Sequence, residues 1–202
     1  QDFRLLAKKN GPKGPIEIAN VRRRFTEQIL TDLSEITRVS CLSEDGQSLP
    51  MWAHYANNHR GYCLKYQFDL DMFIDGQCAP LAVRYQNERP TVSTIDLEKF
   101  ASKNVHTKFD VVGAMKIVDA IYFTKSDQWA YEKEWRVSEQ ATDNEVKGDG
   151  YWEVPCLVPV SIVFGMSAST DFIRSVAQVV QERVPVYMAS PSGESFEMKV
   201  EQ

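Results

Sequence analysis

Two short runs hold the residues whose types and spacing could do chemistry: Met51-Trp52-Ala53-His54-Tyr55 and Trp129-Ala130-Tyr131-Glu132-Lys133-Glu134-Trp135-Arg136. In the first, His54 has the near-neutral pKa that suits proton transfer or donation to an anionic group. Tyr55 can stack on a ring or give a hydroxyl. If Met51 to Asn58 is helical, Trp52 and Tyr55 share a face, as do His54 and Asn58. The structural alternative makes Trp52 and Tyr55 core aromatics and His54 a cap on a neighbouring loop. In the second run, a strand would point Glu132 and Glu134 to one face, with Lys133 and Trp135 opposite. Crowded carboxylates move each other's pKa values apart, which can prepare one as a base or acceptor. Arg136 would share their face and could hold a carboxylate by bidentate pairing. The alternative there is an edge strand with a solvated row of salt bridges.

Other residues give weaker signals. Lys125 precedes Trp129 and could meet a phosphate, or could be a solvated lysine. Tyr62-Cys63-Leu64-Lys65-Tyr66 reads as core strand, and Cys63 lacks the paired base that marks a nucleophile. Val163-Phe164-Gly165 reads as a strand ending in a tight turn. The four cysteines, Cys41, Cys63, Cys78 and Cys156, are scattered with no C-x-x-C pair, and only three histidines exist to join them, so no metal site is expected. Cys41 and Cys63 sit in apolar stretches and read as buried thiols of a reducing compartment, which makes a cytoplasmic location the expectation.

The elements that must position these groups follow from periodicity. Apolar residues Ile18, Val21, Phe25, Ile29 and Leu33 recur at helical spacing, and a strand is expected at Val39 to Leu42 before the turn Ser43-Glu44-Asp45-Gly46. Pro50 opens the short helix Met51 to Asn58, and Arg60-Gly61 ends it. Strands follow at Tyr62 to Phe68 and Leu81 to Tyr85, with a helical turn at Asp69 to Phe73 between them. A long helix runs from Thr94 to about Asp119, capped by Ser93 or Thr94. Strands are expected again at Glu134 to Glu139, Tyr151 to Val154 and Leu157 to Phe164. A helix at Asp171 to Glu182 then precedes strands at Val184 to Met188 and Phe196 to Val200. The mix without strict alternation predicts an α+β fold with a mixed, mostly antiparallel sheet and flanking helices. At 43% hydrophobic and 25% charged, the 202 residues can build a sizeable core. With no linker or repeat, residues 1–202 read as a single domain. A formal charge of −5 argues against broad, non-specific nucleic-acid binding. No apolar run is long enough for a bilayer, so no membrane partner is expected. No Rossmann glycine motif or P-loop occurs.

Taken in order, these segments resemble the bacterial family known as domain of unknown function 2971. The resemblance rests on Val39 to Ser43, Met51 to Tyr55, His59 to Gly61, Tyr62 to Phe68, Lys125, Trp129 to Arg136, and Ile162 to Gly165, across roughly residues 36 to 185. Members open with a Lys-Tyr or Tyr-Arg strand and carry a later Asn-Asp-Pro-Phe segment. Neither is present, which fits a chain lacking its N-terminal segment.

A looser resemblance is to the ADP-ribosyltransferase fold, through the Ser-rich strand end and Glu132-Lys133-Glu134. It implies an enzyme that consumes NAD as substrate, a transferase or NAD glycohydrolase, as in a toxin or phage-defence effector. Glu134 would bond the ribose, and Glu132 would orient or deprotonate an acceptor on a protein or nucleic acid. Ser43 would support Glu134 or the nicotinamide ribose, Tyr55 or Trp52 would stack on nicotinamide, and His54 would contact ribose or phosphate. The strand that supplies the NAD-gripping Arg or His in that fold has no counterpart in this chain. Two other readings stay open: a non-catalytic module binding a nucleotide or peptide in the same cleft, and a hydrolase using the paired glutamates with His54.

Overall fold

A computed structural model describes residues 19–20, 23–24, 26–31, 37–68, 71, 79–101, 108–140, 154, 156–180 and 183–201. In chain order the elements begin with β1 (Thr37–Ser43), α1 (Leu49–Tyr55), β2 (Tyr62–Phe68), β3 (Leu81–Ala82) and β4 (Arg84–Gln86). Next come α2 (Thr94–Ala101), α3 (Lys108–Tyr122), β5 (Thr124–Ser126), a 3-10 turn (Asp127–Glu132) and β6 (Glu134–Gln140). The last are β7 (Leu157–Phe164), α4 (Thr170–Val180), β8 (Val186–Pro191) and β9 (Met198–Glu201). The fold is α+β with mixed, mostly antiparallel sheets. Two compact units are distinguished: Gln1–Val39, Val83–Ser126 and Ser138–Trp152 form the first, and Ser40–Ala82, Asp127–Val137 and Glu153–Gln202 the second.

In the first unit, Ser93 caps α2, its Oγ accepting from the Ile95 amide at 3.2 Å. The expected long helix is two, α2 and α3. They pack closely at Gly113, where a Cβ would lie 2.7 Å from Asp96 Oδ1. The expected strand Leu81 to Tyr85 is likewise two. It breaks at buried Val83; β3 pairs antiparallel with β6, and β4 pairs parallel with β5. An Arg84–Asp119 ion pair ties β4 to α3.

The second unit is built on a four-stranded sheet in the order β2-β7-β8-β9. The central strand β7 runs antiparallel to β2 and parallel to β8, with α4 connecting the parallel pair. Its last four residues, Ser161 to Phe164, are buried, as a strand paired on both edges and covered on both faces should be. Phe164 and Tyr62 meet Phe172 of α4 at ring-centroid distances of 5.9 and 6.1 Å. Elsewhere on the sheet, Val163, Ala189 and Met198 form a core with Trp52 and Ala56. A second small core gathers around Val137 and Cys156. The unit also holds the pairing of β3 with Trp135 and Arg136 of β6.

The helical turn expected at Asp69 to Phe73, apart from Asp71, and the strand at Tyr151 to Val154, apart from Val154, lie outside the described residues. The expected burial of both thiols is corrected: Cys41 is exposed and Cys63 half-buried, and neither is in a disulfide. Cys156 is disulfide-bonded.

Candidate functional site

The short helix α1 splits its two aromatics. Trp52 is 3% exposed within the core, and its indole N–H donates to Gly46 O at 2.8 Å. Tyr55, one turn on, is 62% exposed. Asn58 does not continue the helix beside His54, because Asn57, Asn58 and His59 all take positive φ, from 48° to 63°. Left-handed backbone is costly for non-glycine residues, though Asn tolerates it best. Hydrogen bonds hold the turn in place: the His59 amide donates to Trp52 O at 3.2 Å, and Gly61 to Ala56 O at 2.8 Å. The amides of Gly165 and Ser167 in turn donate to Gly61 O and His59 O. A Cβ on Gly165 would lie 2.2 Å from His59 O, so the approach requires glycine there. The His-x-Gly turn and the strand-closing glycine are thus two halves of one contact.

The two chemistry-bearing runs, 77 residues apart, meet. Tyr55 Oη donates to Glu132 Oε1 at 2.6 Å, and Tyr131 Oη lies 3.0 Å from His54 Nδ1. Trp129 and Tyr131 stand 6.4 and 6.1 Å from the His54 ring, giving an exposed aromatic cluster. The strand geometry expected for Glu132-Lys133-Glu134 is corrected. Glu132 closes the 3-10 turn, Lys133 bends the chain at a φ of 44°, and only Glu134 belongs to β6. A left-handed residue between them breaks the period of two that would have aligned the carboxylates. Their partners differ accordingly. Glu132, 2% exposed, takes the Tyr55 hydroxyl. Glu134, 7% exposed, is held by Arg136 through Nε at 2.7 Å and Nη2 at 3.1 Å. The bidentate pairing is the one the sequence suggested. Burial works against the Arg136 charge, but the Glu134 hydrogen bond and charge outweigh it and raise its pKa, with Cys41 adding to the effect.

Ser43 serves the backbone rather than Glu134. Its Oγ donates to the Glu132 carbonyl at 2.7 Å and accepts from the Asp45 amide at 3.1 Å. Asp45 then accepts from the Gln47 amide at 2.9 Å and pairs with Lys133 at 3.0 Å. The Gln47 amide is the main reason its carboxyl sits below the usual range; burial opposes this and Lys133 reinforces it. Trp135 Nε1 donates to Glu44 Oε1. Both acids of this loop are therefore engaged.

A cleft of about 970 Å³ opens beside this loop, lined by Ser43, Trp52, Tyr55, Tyr62, Tyr66 and Tyr187 among others. Cys63, Lys65, Phe68 and Ser161 also line it. Burial pushes the Cys63 thiol up, and it does the same to Tyr66, helped by Tyr62 and Cys63. Of the residues singled out in the sequence, Ser43, Trp52 and Tyr55 face this cavity. His54, Glu132, Glu134 and Arg136 are in the same unit but do not line it. Lys125 lies on β5 of the first unit, opposite Tyr85. Sequence reasoning read Lys65 and Tyr66 as core strand and did not single out Ser161; the signal was a lone lysine inside a mainly apolar and aromatic strand. Among the described residues, no group of three or more His, Cys, Asp and Glu is placed to hold a metal ion. Likewise, no helix among them is long and apolar enough to cross a membrane.

Compared with known proteins, residues 51–137 match a family model described as Protein of unknown function (DUF2971), a stretch that contains both chemistry-bearing runs. No curated protein and no solved structure matches the chain.

Proposed function

We propose that this chain, which belongs to the DUF2971 family, uses the cleft of its second unit to bind a nucleotide-like small molecule without turning it over. The observation that carries this reading is the contrast between cleft and glutamates. A cavity of about 970 Å³ walled by Tyr55, Tyr66, Phe68 and Tyr187 suits a planar ring, since ligand pockets are concave, apolar and aromatic with a few polar groups. Glu132 and Glu134, by contrast, are 2% and 7% exposed and already hydrogen-bonded. A carboxylate that must stabilise an oxocarbenium-like centre has to reach it, and Glu134 is occupied by Arg136.

One observation favours the second reading, an NAD-consuming transferase acting on a protein or nucleic-acid acceptor. Tyr55 lines the cleft and donates to Glu132, so a ligand that moves this ring would also break a hydrogen bond to a buried carboxylate. Titrating the protein with NAD, while assaying nicotinamide release with and without cell lysate, separates the two. Saturable binding without release supports the binding module. Release that disappears in a folded Glu134→Gln variant establishes the transferase instead, and absence of any nucleotide binding removes both.

A further inference from the structure

We infer that Lys65 and Ser161 form an anion-recognition pair on the wall of this cleft, reading a single phosphate or carboxylate group on the ligand's ring-bearing body; the inference rests on the nucleotide-binding reading above. The two residues are direct cross-strand partners in the β2–β7 register, which places their Cβ atoms about 5 Å apart on the same side of the sheet. That side is known from their neighbours. Cys63 and Val163, two residues before Lys65 and two after Ser161, are also partners, and both pack in the Trp52 core. Side chains two apart on a strand share a face, and Lys65 and Ser161 accordingly line the cleft that Trp52 also lines.

Ser161 is 6% exposed, yet among the described residues its hydroxyl makes no hydrogen bond. With no protein partner and a place on the cleft wall, that hydroxyl is open to water and available to a ligand oxygen. Lys65 is exposed and has no acidic partner among the described residues. It is the one cation among the residues that line the cleft, and the two acids there, Glu44 and Asp45, are held by Trp135 and by Lys133 with the Gln47 amide. An anionic oxygen between the Lys65 ammonium and the Ser161 hydroxyl would take a charge-assisted hydrogen bond and a neutral one. The aromatic wall would hold the attached ring.

The test measures binding of adenosine, adenosine 5′-monophosphate and adenosine 5′-carboxylate to the wild type, Lys65→Gln and Ser161→Ala. Each variant's fold is checked by circular dichroism. The expected result is that one or both anions bind at least about tenfold more tightly than adenosine. Lys65→Gln should abolish that preference, Ser161→Ala should reduce it, and adenosine affinity should stay put. Whichever anion gains more identifies the group as phosphate or carboxylate. Equal affinities for adenosine and both anions, or a preference unchanged in Lys65→Gln, overturn the pair and leave the nucleotide cleft intact. If none of the three binds, inorganic phosphate followed by NMR decides: shifts confined to Lys65 and Ser161 uphold the pair without the nucleotide, and none overturns it.

Discussion

Glu134 and Arg136 share two hydrogen bonds at side-chain exposures of 8% and 17%, and this makes Glu134 a poor residue to remove casually. Replacing it with Gln puts a neutral amide in place of the carboxylate beside a guanidinium largely cut off from water. Breaking a buried ion pair from one side costs about 3–5 kcal/mol, and the partial exposure of Arg136 puts this case near about 3 kcal/mol. The expected outcome for Glu134→Gln is therefore a large drop in the urea midpoint with an unchanged slope. Arg136→Lys should recover little, because an ammonium keeps the charge but loses the planar fork. A change below about 0.5 kcal/mol would instead show the solvated salt-bridge row that the sequence equally allowed. Glu132 stands differently, since Tyr55 is 62% exposed and its ring can move without disturbing the core. Any activity lost in Glu134→Gln must accordingly be read beside its stability, whereas Tyr55→Phe tests the link between cleft and carboxylate more gently.

At the scale of elements, the junction of the α1 turn with the end of β7 is the tightest feature. Gly165→Ala forces a Cβ to within 2.2 Å of the His59 carbonyl, a backbone atom that cannot rotate away. Either the left-handed turn at Asn57 to His59 or the end of β7 must shift, at a cost of about 2–3 kcal/mol or more. Gly46→Ala and Gly193→Ala, with nothing within 4 Å of their Cβ positions, should stay within about 0.5 kcal/mol of the wild type. Thermal unfolding of the three variants checks the contrast, and equal shifts would mean that the turn docks loosely. The same junction shows what the sequence could and could not reveal. The strands at Tyr62 and Leu157 were legible because their apolar alternation is local, and Gly165 was legible as a stop. That Gly165 exists to admit His59 was not, because the contact joins residues about a hundred apart. Lys133 misled for a local reason: nothing in Glu-Lys-Glu announces a left-handed backbone, so a period of two was extended one residue too far. The cleft was partly legible through Ser43, Trp52 and Tyr55. Lys65 and Ser161 were hidden because each looks ordinary on its own strand, and only the register pairs them.

For the molecule as a whole, stability against pH gathers the shifted groups into one curve with two limbs. The second unit is assembled from three separate stretches of chain; the loop at Asp45 and the strand at Cys63 belong to Ser40–Ala82, and the turn at Lys133 belongs to Asp127–Val137. Asp45 is held below its ordinary value, chiefly by the Gln47 amide. A depressed carboxyl contributes stability that is fully present above its unfolded pKa, about 3.9, and is lost as pH falls through the folded value. Cys63 and Tyr66 shift the other way, because burial favours their neutral forms. Their contribution is present below the unfolded values, about 8.5 and 10, and is lost as pH rises through the folded ones. The expected profile is a plateau through neutral pH that falls on both sides. Asp45→Asn should flatten the limb below about pH 4 that the Asp45 carboxyl supplies, leaving alone the alkaline decline that Cys63 and Tyr66 supply. Cys63→Ala should lower the plateau by its lost packing while softening the decline above about pH 8.5. Melting temperatures from pH 3 to 10 for the three proteins measure this directly. If Asp45→Asn lowers stability equally at every pH, its loop hydrogen bonds matter through geometry alone. In that case the carboxylate charge that pairs with Lys133 contributes nothing to holding Glu132 and Glu134 at their separate partners.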